Sequence, residues 1–131
     1  MNVSPYLNFD GNCAEAMAFY AQVFQGTIVH QSTFGDIPPD PNMPPLPESA
    51  KNRIMHAHLQ FDSNNIMASD TLPVVDGVDA QACGGGYQKP QGLWISIEVD
   101  SVAEGQRVFE ALATGGTVAM PFAATFWSAG F

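Results

Sequence analysis

The residues with the clearest capacity for chemistry are two histidines at His-x-His spacing, His56 and His58, in the segment RIMHAHLQFD. Alternate residues of a strand point to the same side, so both imidazoles share one face and can chelate a divalent metal. A metal there needs a third ligand, for which Glu98, Asp70 and His30 are the candidates. The alternative is that both histidines are polar surface residues with ordinary hydrogen bonds. We predict no cofactor, and the competing hypothesis is a divalent metal at His56 and His58.

The strand that carries these histidines is predicted to have one apolar and one polar face. Its apolar face consists of Met55, Ala57, Leu59 and Phe61. The segment LWISIEV, residues 93–99, alternates in the same way, and so does the first strand around Leu7 and Phe9. Apolar faces are expected to pack under helices, so the polar faces point the other way. The polar faces consist of Tyr6, Asn8, His56, His58, Gln60, Trp94, Ser96 and Glu98.

Two segments that position these strands follow the same pattern, NCAEAMAFYAQVFQGTIV (12–29) and SVAEGQRVFEALATGGTVA (101–119). Each opens with a helix N-cap residue, Asn12 or Ser101, and has Glu three residues later, which is the capping-box spacing. An apolar stripe follows, then glycine, then a β-branched strand. Gly26 is predicted to cap the C-terminus of the first helix. The alignment pairs Ala14 with Ala103, Tyr20 with Phe109 and Gly26 with Gly115.

The duplication predicts one domain, residues 1–131, that is built from two modules. Residues 1–70 are predicted to form β-α-β-β-β, because 53–62 and 65–70 add two strands joined by the turn DSNN. Residues 71–92 are the linker, and residues 93–131 are a second module that lacks at least its last strand. Residues 33–51 contain six prolines, so we predict an exposed excursion there rather than a strand.

Composition excludes several classes of function. The net charge is −9, with thirteen carboxylates against four Lys and Arg, which disfavours nucleic acid and anionic membranes as partners. No apolar run approaches the roughly 20 residues of a membrane-spanning helix, and the N-terminus lacks the pattern of a signal peptide. Cys13 and Cys83 are expected to be free thiols, with Cys13 buried in a helix. We therefore expect a cytoplasmic protein.

Several phrases together resemble one protein family. PYLNFDGNCAEAMAFYAQVF, MHAHLQF, IMASD and SIEVDSVAEGQRVFEALATGGTVAMPFAATFW look like the PhnB-like branch of the vicinal-oxygen-chelate superfamily, which includes glyoxalase and bleomycin-resistance proteins. The resemblance implies an α+β fold with two βαβββ modules, whose cupped mixed sheet carries its helices on the outer face. It also implies a homodimer and a cavity lined by the polar strand faces. The candidate ligand-binding residues are then Tyr6, Asn8, His56, His58, Gln60, Trp94, Ser96 and Glu98. Trp127 would lie near the mouth of that cavity.

The chain departs from the superfamily at the metal positions. Metalloenzymes of the superfamily place His or Glu on equivalent strands of both modules. Here the three positions that can be aligned are Pro5 or Tyr6, Ala68 or Ser69, and Trp94, none of which is a good metal ligand. The branch also carries a demethylubiquinone methyltransferase label. We discount it, because the turn FDGNCAEA has one glycine where nucleotide-type folds usually need a glycine-rich turn.

Three functions are consistent with these observations. The first is a protein of this branch that binds a small organic molecule in the sheet cavity, where Trp94, Tyr6 and Trp127 could stack on a planar or cationic ligand. The second is a metal-dependent lyase, isomerase or dioxygenase. The third is a drug-sequestering protein of the bleomycin-resistance type, for which the negative charge would favour a cationic ligand. Glu98 is either a general base or a hydrogen-bond partner of Ser96 and Tyr6.

Overall fold

The structure is a computed structural model, which describes residues 3–41, 45–73 and 86–131. The chain divides into two units, residues 1–89 and 90–131, each of which is described separately. Cys83 and most of the predicted linker lie outside the described residues. Within the described residues, no helix is long and apolar enough to cross a membrane.

Unit 1 is a four-stranded mixed sheet with one long helix. Its elements in chain order are β1 (Tyr6–Phe9), α1 (Cys13–Val23), β2 (Thr27–Thr33), β3 (Ile54–Phe61) and β4 (Asn64–Asp70). The strands lie in the order β1-β4-β3-β2, with β1 parallel to β4 and the other pairs antiparallel. The α+β class and the mixed sheet are thereby confirmed, and the element order is the one predicted for residues 1–70.

The core of unit 1 lies between α1 and one face of the sheet. Cys13 and Met17 of α1 are fully buried against Ala57 and Leu59 of β3 and Ala68 of β4. Complete burial of side chains such as Met17 and Leu59 contributes about 1.5–3 kcal/mol each. This packing supplies the helix with the tertiary support that an eleven-residue helix lacks in isolation.

The N-terminus of α1 is capped differently from the prediction. The side chain of Asn12 makes no capping hydrogen bond. Instead the buried carboxylate of Asp70, at the end of β4, accepts hydrogen bonds from the backbone N–H groups of Gly11 (2.8 Å) and Cys13 (3.0 Å), and its other oxygen accepts one from Ile54 (2.8 Å). Asp70 therefore connects β4 with α1 and β3. The sequence analysis named Asp70 only as a candidate metal ligand and did not predict this structural role.

The C-terminus of α1 also differs from the prediction. Gln25, not Gly26, has the left-handed conformation, with φ of 53°. The N–H of Gly26 bonds to the carbonyl of Ala21 and that of Gln25 to Gln22, which is the Schellman pattern. Gly26 is required for a different reason, because a Cβ there would lie 2.7 Å from the carbonyl oxygen of Gln60.

Two β-bulges change which side chains face the core. Between the pairs Ile28–Leu59 and His30–His58, β2 advances two residues while β3 advances one, so β2 contains an extra residue, Val29. Near the other end, β3 contains the extra residue Met55. The prediction that Met55 belongs to the core face is therefore wrong, since Ile54 is the residue in the core cluster.

The proline-rich segment is largely exposed where the structure describes it. Two short 3-10 helices, Phe34–Asp36 and Glu48–Ala50, lie at its ends. Backbone hydrogen bonds from Phe34 to Arg53 (3.0 Å) and from Gly35 to Lys51 (2.9 Å) hold these ends together. The excursion was predicted over residues 33–51. Thr33 belongs to β2, and no strand is assigned in the described parts of residues 34–51.

Unit 2 contains one regular element, α2 (Val102–Ala113). The hydroxyl of Ser101 caps it by accepting a hydrogen bond from the N–H of Glu104 (3.2 Å), as predicted, while the Glu104 carboxylate pairs with Arg107 rather than closing the box. Phe122 packs where Gly105 leaves room and lies 5.8 Å from the ring of Phe109. Within residues 86–131 no strand is assigned, so the strands predicted at 93–99 and from 117 are not formed, since a strand needs a neighbour with which its backbone can pair.

Candidate functional site

The sheet face of unit 1 that lies opposite α1 collects polar side chains from all four strands, and we call it the polar face. Strand alternation and the pairing register define it. Apart from Val29 and Gln31 of β2, the residues between its members belong to the core or pack against it. Its members are Tyr6, Asn8, Thr27, His30, Ser32, His56, His58, Gln60, Asn65, Met67 and Ser69. The sequence-predicted candidates of unit 1 thus all lie on this face.

The centre of the polar face is a contact between Tyr6, His56 and His30. The Tyr6 hydroxyl lies 3.2 Å from Nδ1 of His56, with the ring centroids 5.8 Å apart. The ring of His30 lies 5.7 Å from that of His56, centroid to centroid. When the Tyr6 hydroxyl donates a hydrogen bond to Nδ1, the neutral imidazole of His56 has its hydrogen on Nε2. Nε2 is then a hydrogen-bond donor. The Tyr6 hydroxyl and the His30 ring therefore both lie beside the imidazole of His56.

Two further hydrogen bonds order the flanks of the polar face. Nε2 of His58 lies 2.8 Å from the amide oxygen of Asn65 on β4, which fixes its ring away from His56. The hydroxyl of Ser69 donates to the amide oxygen of Asn8 across the parallel pair, at 3.2 Å. His56 and His58 therefore have different partners, although they share a strand and a face.

Ser32 is the least satisfied group on the polar face. Its hydroxyl oxygen is buried and has no hydrogen-bond partner among the described residues. Ser32 lies opposite His56 in the β2–β3 register. A buried hydroxyl without a partner costs free energy, so it marks a position where a bound molecule can supply the missing hydrogen bond.

The described residues of unit 1 do not fit a metal ion. In the described parts of the chain, no group of three or more His, Cys, Asp or Glu side chains has the spacing of a metal site. Asp70 is buried and already accepts three backbone hydrogen bonds, and His58 bonds to Asn65. The aligned superfamily positions provide a tyrosine and a serine, which are poor ligands for divalent zinc or iron.

The candidates in unit 2 are strongly exposed. Trp94 is 90% exposed and Trp127 is 60% exposed, while Ser96 and Glu98 are exposed as well. Trp127 makes edge contacts with Phe126, at a centroid distance of 4.6 Å, and with Phe131. Their participation in a site with the polar face stays a prediction.

The candidate ligand-binding residues of the sequence analysis omitted six members of the polar face, although His30 was named there as a possible metal ligand. The six are Thr27, His30, Ser32, Asn65, Met67 and Ser69. His30 and Ser32 were missed because strict alternation from the core residue Ile28 places them on the wrong face, and the bulge at Val29 reverses that assignment. Asn65 and Ser69 could have been found, because β4 alternates regularly and its core residues, Ile66 and Ala68, are plain in the sequence.

The comparisons with known proteins agree on one family. No family model matches the chain. The protein YjdN of Escherichia coli K12 is 30% identical over 136 residues, an alignment that covers all of this chain and 85% of YjdN. The crystal structure of PA1353 from Pseudomonas aeruginosa has a TM-score of 0.78 at 40% identity, over all of this chain and 86% of PA1353.

A second solved structure extends the likeness in fold. The PhnB protein from Bacillus cereus has a TM-score of 0.71 at 22% identity, over 99% of this chain and 87% of that protein. At this identity the likeness concerns the fold, which is glyoxalase-like. Together with YjdN and PA1353, it means that the chain belongs to the PhnB-like branch of the vicinal-oxygen-chelate superfamily.

Proposed function

We propose that this protein binds a small organic molecule on the polar face of unit 1. The observation that carries the proposal is the cluster of Tyr6, His30 and His56, which three different strands bring together opposite the core helix. A few convergent polar groups beside aromatic surface are typical of sites for small organic ligands. The unsatisfied hydroxyl of Ser32 supports the same location.

The role of unit 2 is part of the proposal. Trp94, Ser96, Glu98 and Trp127 are proposed to complete the site, as the resemblance implies. Aromatic residues as exposed as Trp94 and Trp127 are suited to stacking on a planar ligand. We also propose that the protein acts in the cytoplasm, in keeping with the composition of the chain.

The experiment is a fragment screen by ligand-observed NMR, followed by titration of each hit into isotope-labelled protein. We expect hits to shift the imidazole resonances of His30 and His56, and to lose affinity in Tyr6→Phe and His56→Gln variants. Gln22→Ala, an exposed polar residue on α1, is the matched control and should leave affinity unchanged. Hits that shift only residues off the polar face would contradict the proposal.

A metal-dependent lyase, isomerase or dioxygenase is the second candidate that the family raises. The donor set of the polar face argues against it, as the metal positions carry no suitable ligand. Plasma mass spectrometry of untagged protein purified without chelator decides the matter, with a His56→Ala, His58→Ala double variant beside it. About one metal per chain, lost in the variant, would favour the enzyme over the proposed binding function.

A further inference from the structure

We infer that Tyr6 is a positioning residue whose hydroxyl holds His56 in one tautomer, so that His56 donates a hydrogen bond to an acceptor oxygen of the ligand. This role rests on the proposed function, because it concerns the same site. The Tyr6 hydroxyl lies 3.2 Å from Nδ1 of His56. The contact spans the intervening strand β4, so only the folded sheet brings the two side chains together.

The hydrogen bond between Tyr6 and His56 has one favoured direction, in which Tyr6 is the donor. A phenol O–H is a stronger donor than a neutral imidazole N–H, and an imidazole nitrogen without hydrogen is a stronger acceptor than a phenol oxygen. The contact therefore keeps Nδ1 of His56 free of hydrogen. A neutral imidazole has one N–H, which must then be at Nε2. Tyr6 thereby makes Nε2 of His56 a hydrogen-bond donor.

Nε2 of His56 is available to a ligand. It has no hydrogen-bond partner among the described residues, and His30 beside it makes only a ring contact, at a centroid distance of 5.7 Å. The same nitrogen of His58 differs, because it lies 2.8 Å from the amide oxygen of Asn65 and bonds to it. Of the two histidines of β3, His56 is therefore the one whose N–H can bind a ligand.

Ser32 places a second donor beside His56. The two residues are direct partners across β2 and β3, and side chains paired in this way have Cβ atoms about 5 Å apart. The Ser32 hydroxyl is buried and has no hydrogen-bond partner among the described residues. A carbonyl oxygen has two lone pairs and can accept hydrogen bonds from both groups. The pair therefore favours a ligand that presents an acceptor oxygen over one that presents a donor to Nε2.

Glu98 of unit 2, which is proposed to complete the site, does not determine the tautomer of His56. Tyr6, Ser32 and His56 belong to unit 1, and their contacts are formed within it. A carboxylate that reached Nε2 would accept its hydrogen bond and leave the hydrogen on the same nitrogen. The tautomer is therefore the same whether or not Glu98 contacts His56.

The first measurement is the tautomer itself. Long-range proton–nitrogen correlation spectra of the full chain, isotope-labelled in its histidines, report which ring nitrogen has the hydrogen. At pH 8 we expect it on Nε2 of His56. Tyr6→Phe should raise the ratio of the Nδ1–H form to the Nε2–H form about fivefold, which is the effect of one hydrogen bond of ordinary strength. Tyr20→Phe is the matched control, because Tyr20 of α1 packs against the core. Tyr20→Phe and Glu98→Gln should both leave the tautomer unchanged.

The second measurement compares three uncharged probes that share one ring, namely acetophenone as acceptor, aniline as donor and toluene as the ring alone. Each is titrated into the full chain at pH 8, with the imidazole resonances of His56 as readout. We expect acetophenone to bind best. Affinity for an acceptor is proportional to the Nε2–H fraction, and affinity for a donor to the Nδ1–H fraction. The ratio of acetophenone affinity to aniline affinity should therefore fall about fivefold in Tyr6→Phe, in step with the tautomer ratio, and stay unchanged in Tyr20→Phe.

The outcomes separate this role from the proposed function. Hydrogen on Nδ1 of His56 in the native protein, or a tautomer ratio that Tyr6→Phe leaves unchanged, would overturn the inference. An equal effect of Glu98→Gln, or aniline or toluene binding as tightly as acetophenone, would overturn it as well. In these cases fragment hits on the polar face would leave the function intact. If no probe shifts a His56 resonance while the protein remains folded, the ligand role of His56 is rejected, and fragment hits off the polar face would then reject the function too.

Discussion

At the residue scale, the carboxylate of Asp70 at the end of β4 caps the N-terminus of α1 and bonds to the start of β3. Its carboxylate is 3% exposed and accepts hydrogen bonds from Gly11, Cys13 and Ile54. We expect Asp70→Ala to lower the free energy of unfolding by about 3–5 kcal/mol, because it leaves three backbone donors without a partner in the core. Asp70→Asn should cost about 2 kcal/mol, since one oxygen remains but an amide N–H₂ replaces the other. Urea denaturation measures both.

The control for Asp70 is Asp10→Asn. Asp10 also lies at the end of a strand, but it is exposed and pairs with Arg53 in a surface ion pair. Loss of such a pair costs at most about 1 kcal/mol. If Asp70→Asn and Asp10→Asn destabilise the protein equally, the carboxylate of Asp70 is not the junction that the hydrogen bonds indicate.

Cys13 provides a second prediction at the residue scale. Burial, together with the negative charge of Asp70, raises the pKa of the Cys13 thiol from 9.0 to about 12. Because the folded-state pKa lies above that of the unfolded chain, the free energy of unfolding is unaffected below pH 9 and falls as the pH rises towards 12. The loss should be about 1.4 kcal/mol per pH unit within this window.

The measurement is the slope of the free energy of unfolding against pH between pH 9 and pH 10. It is compared between a Cys83→Ser protein and a Cys83→Ser, Cys13→Ala protein. This window precedes most of the ionisation of Tyr20, whose pKa is also raised by burial. We further expect Ellman's reagent to leave Cys13 unmodified in the folded protein and to label it fully in urea. Rapid labelling of the folded protein would show that the thiol is accessible.

At the scale of the element, two neighbouring residues at the C-terminus of α1 have different structural roles. Gln25 has the left-handed backbone, which costs a residue other than glycine about 1–2 kcal/mol, whereas Gly26 makes a close backbone contact. Gln25→Gly should therefore stabilise the protein by about 0.5 kcal/mol after the added flexibility of the unfolded chain is subtracted. Gly26→Ala should destabilise it by about 2 kcal/mol or more, because its Cβ would overlap the Gln60 carbonyl oxygen.

Thermal and urea denaturation of the two variants test this division directly. Gly115→Ala is a useful comparison, since Gly115 follows α2 with φ of 75° and a Cβ there would meet nothing within 4 Å. It should cost only the conformational strain, about 1 kcal/mol. If Gly26→Ala and Gly115→Ala lower the free energy of unfolding equally, the backbone conformation, and not the contact with the Gln60 carbonyl oxygen, determines the requirement for Gly26.

The elements themselves were largely predictable from the sequence, whereas the faces of two strands were not. Helix caps, the apolar stripe and β-branched runs indicated the order of elements in unit 1, because these signals are local. The bulges at Val29 and Met55 depend on how β2 and β3 pair, which no local pattern contains. They determine that His30 joins His56 on the polar face and that Ile54 replaces Met55 in the core. Periodicity alone thus assigned His56 to the correct face but misassigned its neighbour His30.

At the scale of the whole molecule, the three histidines are segregated from the described carboxylates of unit 1. The chain carries −9 overall, yet its three histidines lie together on a face without a carboxylate among the described residues of unit 1. The register of three strands brings about this segregation, so composition alone could not reveal it.

The last prediction concerns the homodimer that the resemblance implies. Leu93, Ile95, Ile97 and Val99 are each at least 40% exposed, and the segment that contains them has no strand partner in the described part of unit 2. Pairing with a second copy would bury this apolar row and satisfy its backbone groups. We expect sedimentation equilibrium to show a dimer, which Ile95→Glu together with Ile97→Glu should shift towards monomer. Gln91→Glu adds a carboxylate at an exposed position nearby and should leave the dimer intact. A native chain that remains monomeric across the concentration range would contradict the prediction, and the apolar row would then need a partner of another kind.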